Sequence, residues 1–314
     1  MARRSVNGIF LLDKPLEISS NGILQRIRWL YQAEKAGHTG ALDPLASGLL
    51  PICFGEATKF CQFLLDTDKT YQVTARFGIR TDTSDAAGEI IQQRPIDFSK
   101  ADLVSAVAKA KGPQLQVPTM YSALKYQGQP LYKYARQGIT VPREARPIDV
   151  YQFDLLQFDG QDATFIVHCS KGTYIRTLID DLGETLGCGA YVTALRRTHV
   201  GPFHATQMHT EHDLIALNQQ QDWPALDAFL LPMDQALHGL PALTLNAMEQ
   251  QRLVHGQTVA LTAEMESLLA AAVGLDAIKL YNEAAEFIGV GAIKEQSLVV
   301  RRLLNTSQLH TSIN

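Results

Sequence analysis

Residues 37–48 read Gly-His-Thr-Gly-Ala-Leu-Asp-Pro-Leu-Ala-Ser-Gly, a stretch that is neither a regular helix nor a plain strand. Its glycines permit positive φ and a close approach of the backbone to a ligand. Asp43 precedes a proline, which biases it toward extended geometry. We therefore expect a stiff turn that holds the Asp43 carboxylate where a reactive group can be placed. The residues alone also allow a surface loop whose aspartate bonds its own backbone.

Further motifs flank this stretch in a fixed order along the chain. They are Leu11-Leu12-Asp13-Lys14-Pro15 with Ser19-Ser20-Asn21, Gly55-Glu56-Ala57-Thr58-Lys59-Phe60, Lys69-Thr70-Tyr71-Gln72-Val73, Arg80-Thr81-Asp82-Thr83-Ser84-Asp85-Ala86-Ala87-Gly88, Pro118-Thr119-Met120-Tyr121-Ser122-Ala123-Leu124-Lys125 and Lys171-Gly172-Thr173-Tyr174-Ile175-Arg176-Thr177. Together with residues 37–48 they resemble the bacterial TruB family, the tRNA pseudouridine synthases that modify the T-loop uridine. The resemblance is close from residue 7 to residue 202 and fades beyond that point.

The order of predicted elements indicates a mixed α+β fold. Alternating apolar residues predict a half-buried strand over 69–77, and Ser19 to Asn21 is a good helix start. Strands and helices follow one another without strict βαβ alternation, which is typical of α+β proteins. The resemblance implies the pseudouridine synthase fold, a mainly antiparallel sheet flanked by helices, with a small C-terminal β-rich domain of the PUA-like kind.

The chain is long enough for two domains. We expect a catalytic domain over 1–230 and a divergent PUA-like, RNA-binding domain over 235–314. In the second domain, residues 253–259 and 287–293 look like strands, whereas residues 263–272 look partly helical. This part is acidic, so we expect only a modest contribution to RNA binding.

Composition excludes several classes of protein. Hydrophobic residues make up 46% and charged residues 19% of the 314 residues, as in soluble globular proteins. No apolar run reaches the length of a membrane span, and the start lacks the apolar region of a secretory signal. The four cysteines show no Cys-x-x-Cys spacing. We expect a cytoplasmic protein without metal, organic cofactor or membrane contact.

Charge is distributed unevenly along the chain. The net charge is −4, yet residues 109–146 contain seven Lys or Arg and one acid, Glu144. Tyrosines at 121, 126, 132 and 134 lie among these cations. Aromatic rings beside cations suit unstacked RNA bases and phosphates, so this basic segment predicts an RNA contact. A solvated helix face is the alternative interpretation.

The resemblance implies the chemistry of pseudouridine formation, in which the uracil N1–C1′ bond breaks and C5 joins C1′. It places the family's essential aspartate, the nucleophile, at Asp43. A carboxylate could attack C1′, attack uracil C6 or remove the ribose H2′; the sequence does not choose among these routes. The resemblance assigns Arg176 as the partner that keeps Asp43 ionised and oriented. The residues alone would equally allow a phosphate contact or a structural ion pair for Arg176.

The remaining site residues also follow from the resemblance. The uridine must be extruded to be reached. Tyr71 is expected to stack on the flipped base and relay the C5 proton, with Tyr174 and Leu195 lining the same pocket. His38 is expected to help open the T-loop by binding RNA.

Three cations are predicted to contact phosphates. Lys59 is one of them, and the others are Arg196 and Arg197, which follow Leu195 directly.

The sequence therefore predicts an isomerase that acts on the uridine at position 55 of tRNA through its T-arm, as a monomer with no protein partner. The alternative is a non-catalytic RNA-binding or tRNA-folding module. A small-molecule hydrolase using Asp43 and His38 lacks a nucleophile motif and leaves the basic segment unexplained. A synthase working within a guide-RNA complex is disfavoured by the bacterial order of the motifs.

Overall fold

The computed structural model describes residues 3–269 and 277–305. Within these residues a nine-stranded sheet runs in the order β1-β3-β12-β4-β11-β10-β7, with β2 paired to β3 and β13 paired to β12. The strands of this sheet are β1 (Gly8–Lys14), β2 (Ala36–His38), β3 (Ala46–Phe54), β4 (Lys69–Phe77), β7 (Gly112–Gln116), β10 (Arg146–Phe158), β11 (Asp162–Cys169), β12 (Ala190–Val200) and β13 (Phe203–His204). All neighbours are antiparallel except β3 and β12. The predicted mixed, mainly antiparallel α+β fold is confirmed.

Helices cover this sheet, and two short hairpins extend from it. The helices are α1 (Ser20–Leu30), α2 (Cys61–Leu65), α3 (Lys100–Lys109), α4 (Leu131–Ala135), α5 (Ile175–Thr185), α6 (Glu211–Gln220) and α7 (Trp223–Asp227). The hairpins pair β5 (Ile79–Thr81) with β6 (Ile90–Gln93) and β8 (Lys125–Tyr126) with β9 (Gln129–Pro130). No helix of the described residues has both the length and the apolar character that crossing a bilayer requires.

Local sequence explains where these elements begin. The Ser19 hydroxyl accepts the Gly22 N–H at 3.0 Å and caps α1, as its motif predicts. The bounds of β4 coincide with the predicted strand, and its buried side chains alternate along it. Gly55–Phe60 forms a 3₁₀ turn that leads directly into α2.

A five-stranded sheet forms the C-terminal part of the chain, in the order β14-β16-β17-β18-β15. Its strands are β14 (Ala242–Leu245), β15 (Val259–Ala260), β16 (Ile278–Asn282), β17 (Phe287–Lys294) and β18 (Ser297–Leu303), and its helices are α8 (Ala247–Val254) and α9 (Ala263–Leu269). The strand predicted over 287–293 is confirmed.

The strand predicted over 253–259 is wrong. Asn246 and Glu249 form a capping box that starts helix α8, and this helix runs to Val254, so only the last predicted residue reaches β15. The helical tendency predicted from residue 263 is confirmed as far as Leu269. The rest of that prediction, residues 270–272, lies outside the described residues.

The C-terminal sheet packs against the turn that follows β3. Phe60 and Phe287 meet edge to face, with ring centroids 5.3 Å apart. The Lys59 ammonium donates to the Leu303 carbonyl at 2.9 Å and pairs with Glu56 at 2.5 Å. The two parts of the chain therefore share buried apolar and polar contacts.

Candidate active site

A cavity of about 330 Å³ opens between the Asp43 loop, β4, α5 and β12. Its lining includes Asp43, Tyr71, Tyr174, Arg176 and Leu195. These five are the catalytic and pocket residues that the sequence predicts, although they span more than 150 positions of the chain. The fold therefore brings them to one place.

The loop that carries Asp43 is tied to α1 and to β12. The Ser20 hydroxyl donates to the Leu42 carbonyl at 2.9 Å and accepts the Leu42 N–H at 2.7 Å. Gly48 has φ +99°, and a Cβ there would lie 2.3 Å from the Arg197 carbonyl oxygen. Glycine is therefore required where β3 leaves the loop and joins β12 in parallel.

Arg176 holds Asp43 from the first turn of α5. Its Nε lies 2.9 Å from Asp43 Oδ2, while its Nη1 lies 3.1 Å from Asp85 Oδ2 and its Nη2 donates to the Tyr121 carbonyl at 2.8 Å. The Arg176 side chain is 5% exposed and that of Asp43 is 40% exposed. Fixed on three sides, the guanidinium presents a carboxylate whose outer face is open to the cavity.

Asp85 is a residue of this site that the sequence motifs do not single out. Its side chain is 3% exposed and also accepts hydrogen bonds from the Thr83 hydroxyl at 2.6 Å and the Ala87 N–H at 3.0 Å. The only signal in the sequence is the polar motif 80–88, which contains two aspartates and does not say which one faces inward.

Three family models match successive parts of the chain. A protein-family model described as the TruB family pseudouridylate synthase N-terminal domain matches residues 28–175. Models of the tRNA pseudouridylate synthase B C-terminal domain and of the C-terminal part of pseudouridine synthase II TruB match residues 176–238 and 241–304. The chain belongs to the TruB family.

Similar TruB proteins match over nearly their whole length. The tRNA pseudouridine synthase B of Pasteurella multocida (strain Pm70) is 50% identical over 303 residues, which cover 96% of each chain. The protein of that name from Shewanella sp. (strain MR-4) is 51% identical over 314 residues, with 97% of each chain covered. Among solved structures, a Cbf5-Nop10-Gar1 complex gives a TM-score of 0.71 at 25% identity, covering 94% of this chain and 84% of that chain.

The electrostatics of this TruB pocket act on Asp43 in opposite directions. Burial raises the pKa of the Asp43 carboxyl, Arg176 lowers it, Asp85 raises it and Lys14 lowers it again. Lys14 is fully buried, and its ammonium donates to the Ala46 carbonyl at 2.7 Å and the Pro15 carbonyl at 2.8 Å. Burial brings the pKa of Lys14 down to about 8. Burial outweighs the two cations, so the pKa of Asp43 lies above its usual value, and Arg176 and Lys14 limit this rise.

Tyr71 and Leu195 form two sides of the cavity from neighbouring strands. Leu195 of β12 pairs with Val73 of β4, and Tyr71 of β4 pairs with Arg197 of β12. Tyr174 is the residue directly before α5, and the Gln116 side-chain amide accepts its backbone N–H at 2.8 Å and donates to its carbonyl at 3.1 Å. Two tyrosine rings and one leucine therefore line the same cavity as the carboxylate, and aromatic rings are the kind of surface on which a flipped base stacks.

The prediction that Arg197 contacts a phosphate is wrong. Arg197 is 2% exposed, and its guanidinium donates to the Leu49 carbonyl at 2.7 Å and the Gly40 carbonyl at 3.1 Å. Side chains alternate along a strand, so Arg196 points to the other face. There it forms a bidentate ion pair with Asp13, at 2.9 and 2.7 Å.

His38 and Lys59 lie outside the cavity lining. His38 is half-buried on β2, and burial together with Arg197 lowers the pKa of its imidazole. The Lys59 side chain is 21% exposed, and both of its contacts lie within the protein. Their contacts with RNA stay predictions. Among the described residues, no group of three or more His, Cys, Asp or Glu could hold a metal ion.

Replacing Asp85 with asparagine should slow turnover and move its pH dependence. Arg176 loses one of its anchors, and misplacement of a catalytic group by about 1 Å can cost on the order of 100-fold in rate. Asp85 raises the pKa of Asp43, so removing its charge lowers that pKa. The acid limb of kcat/KM, which reports ionisation of Asp43, should therefore move to lower pH.

Asp180→Asn is the matched control for Asp85→Asn. Asp180 lies on α5, the helix that carries Arg176, but it does not line the cavity. Its carboxylate forms a salt bridge with Arg80 at 2.7 Å. We expect its pH profile to match that of the wild type. An unmoved acid limb in Asp85→Asn would contradict the electrostatic coupling between the two carboxylates.

Proposed function

We propose that this chain is a tRNA pseudouridine synthase that isomerises the T-loop uridine at position 55 of tRNA. Membership of the TruB family and the relatives described as tRNA pseudouridine synthase B support the activity. The observation that carries the proposal is the Asp43 carboxylate held 2.9 Å from Arg176 at the wall of a cavity. A module that only binds RNA does not need a buried arginine clamped between two carboxylates.

The chemistry requires a nucleophile or base beside a flipped uridine. Asp43 attacks C1′ or C6, or removes H2′, and the N1–C1′ bond breaks. The base then rejoins through C5, loses the C5 proton and gains a proton at N1, so no cofactor is consumed. Arg176 keeps Asp43 oriented throughout the reaction. Tyr71 stacks on the base and relays the proton that leaves C5.

The same proposal assigns separate roles to the two parts of the chain. Residues 1–230 carry catalysis, and residues 235–314 bind RNA modestly. The protein works on the T-arm as a monomer in the cytoplasm. His38 and Lys59 extend the RNA contact beyond the cavity.

The position of the basic segment over 109–146 is further support for RNA as the substrate. Tyr121, Ser122 and Ala123, near its middle, line the cavity. The exposed side chains of Lys125, Lys133 and Arg136 lie in and beside the β8–β9 hairpin and α4. Cations at the rim of a pocket can hold the phosphates that flank a flipped nucleotide.

Binding of tRNA should therefore weaken as salt rises. Each phosphate contact contributes about 0.7 to 0.9 to the slope of log K against log salt. The triple variant Lys125→Gln, Lys133→Gln, Arg136→Gln should flatten this slope by about 2, with kcat at saturating tRNA close to that of the wild type. Filter binding across a salt series measures it. The exposed Lys100→Gln in α3, outside both parts of the chain that are proposed to bind RNA, is the control, and an unchanged slope in the triple variant would exclude the basic segment as the phosphate contact.

Tritium release from 5-tritiated uridine in an unmodified tRNA transcript tests the function directly. C5 loses its hydrogen only when the base is rejoined there, so we expect release by the wild type. Tight binding of tRNA without release would instead establish the RNA-binding module. A transcript with cytidine at position 55 tests the position, since release from it would contradict the assignment of uridine 55.

A further inference from the structure

Arg197 is a buried cation to which the mechanism above gives no role. Its side chain is one of the largest that the described residues bury completely. No carboxylate of residues 3–269 or 277–305 forms an ion pair with it, in contrast to Arg176 and Arg196. Burying a charge without a counter-charge is costly, so an uncompensated guanidinium at the wall of a reaction cavity calls for a functional reason.

Strand pairing places Arg197 directly beside Tyr71. The two residues are opposite partners in the antiparallel pair of β12 and β4, so their side chains share one face of the sheet. Both line the cavity, and the guanidinium interacts electrostatically with the Tyr71 side chain. An arginine can only donate, so in a hydrogen bond between the two the Tyr71 oxygen is the acceptor and its own proton is free to point elsewhere.

Two backbone carbonyls determine where the guanidinium lies. Its Nε donates to the Leu49 carbonyl of β3 at 2.7 Å, and its Nη2 donates to the Gly40 carbonyl, in the loop that carries Asp43, at 3.1 Å. The arginine therefore joins three elements, the loop that carries Asp43, strand β3 and strand β4. Its position is fixed before any RNA arrives, as preorganised electrostatic stabilisation requires.

We propose that Arg197 is a positioning residue that holds the Tyr71 oxygen as a hydrogen-bond acceptor and stabilises negative charge on it. The inference rests on the proposed function. In that reaction the uracil ring gains a proton at N1 and loses one at C5. A phenol can supply the first proton, directly or through water, and the phenolate left behind takes the second when the C5–H bond electrons restore the C5–C6 double bond.

The surrounding charges agree with this role. Burial raises the pKa of Tyr71 and Arg197 opposes it most strongly, whereas Cys169 and Asp43 raise it further. Arg197 also lowers the pKa values of Lys14, Lys69 and His38. The charged or titratable groups around Tyr71 come from several elements: Asp43 on the loop, Lys69 on β4, Tyr121 before β8, Cys169 on β11, Tyr174 and Arg176 at the start of α5, and Arg197 on β12.

A double-mutant cycle tests the proposal. Single-turnover tritium release is measured for the wild type, Arg197→Met, Tyr71→Phe and the double variant, with tRNA affinity measured alongside. Arg197→Met should be about 100-fold slower than the wild type, with affinity within about threefold. In the Tyr71→Phe background the same change should cost less than about threefold, because the group through which it acts is gone. An equal loss in both backgrounds would show a purely structural role and overturn the inference.

The pH dependence provides a second readout, and Arg197→Lys a second variant. Removing the cation makes the phenolate harder to form, so the falling alkaline limb of the rate, which reports loss of the Tyr71 proton, should move to higher pH in Arg197→Met. Arg197→Lys retains the charge and should keep the limb near its wild-type position even where packing slows the rate. An unmoved limb in Arg197→Met counts against the inference.

Arg76→Met is the matched control, because Arg76 also lies on β4 but forms its salt bridge with Asp162 away from the cavity. Absence of release by the wild type would instead refute the proposed function.

Discussion

Asp43→Asn is expected to abolish tritium release from tRNA while leaving tRNA binding intact. The amide has the size of the carboxylate but can neither attack carbon nor accept the ribose proton, so the rate should fall by about 10⁴-fold or more. Arg176 retains Asp85 and the Tyr121 carbonyl as partners, so it is not left as an unpaired buried charge. The fold should therefore survive, and affinity should stay within a few-fold of the wild type.

Two further variants make this result interpretable. Asp43→Ala removes the side chain entirely, and retention of even modest activity by it would refute the central assignment. Asp180→Asn changes an aspartate on α5 outside the cavity and should keep full activity. Thermal unfolding of all three variants distinguishes lost chemistry from lost structure.

Tyr71→Phe should lose far more rate than affinity. The ring that stacks on the flipped base remains, whereas the hydroxyl that exchanges a proton with the uracil is gone. Loss of a positioned acid or base costs about 10²- to 10⁴-fold in rate. Single-turnover release at saturating enzyme, compared with the Kd for tRNA, separates the two contributions.

Equal losses of rate and affinity would reduce Tyr71 to a stacking residue. Tyr191→Phe is a suitable control, because Tyr191 lies on β12 opposite Arg76 of β4, away from the cavity lining. It removes a hydroxyl from the same strand pair without touching the pocket. We expect its rate to match that of the wild type.

Local physical chemistry accounts for what the sequence predicted well. Ser19 caps α1 and the alternation over 69–77 forms β4, because capping and strand periodicity involve neighbours in the chain. The strand predicted over 253–259 was wrong where two local signals competed, since the capping box of Asn246 and Glu249 favoured a helix. The pocket residues carried over from the family motifs meet in one cavity.

The sequence by itself determined the family, the mixed α+β class and the candidates Asp43, Tyr71 and Arg176. The tertiary structure decided how these side chains are held. Asp85 shares Arg176 with Asp43 across 42 positions, and Arg197 is buried beside Tyr71 instead of reaching a phosphate. The sequence alone does not show whether a charged side chain is solvated or buried. Strand register and packing determine the face of the sheet on which it lies and the charged groups that it contacts.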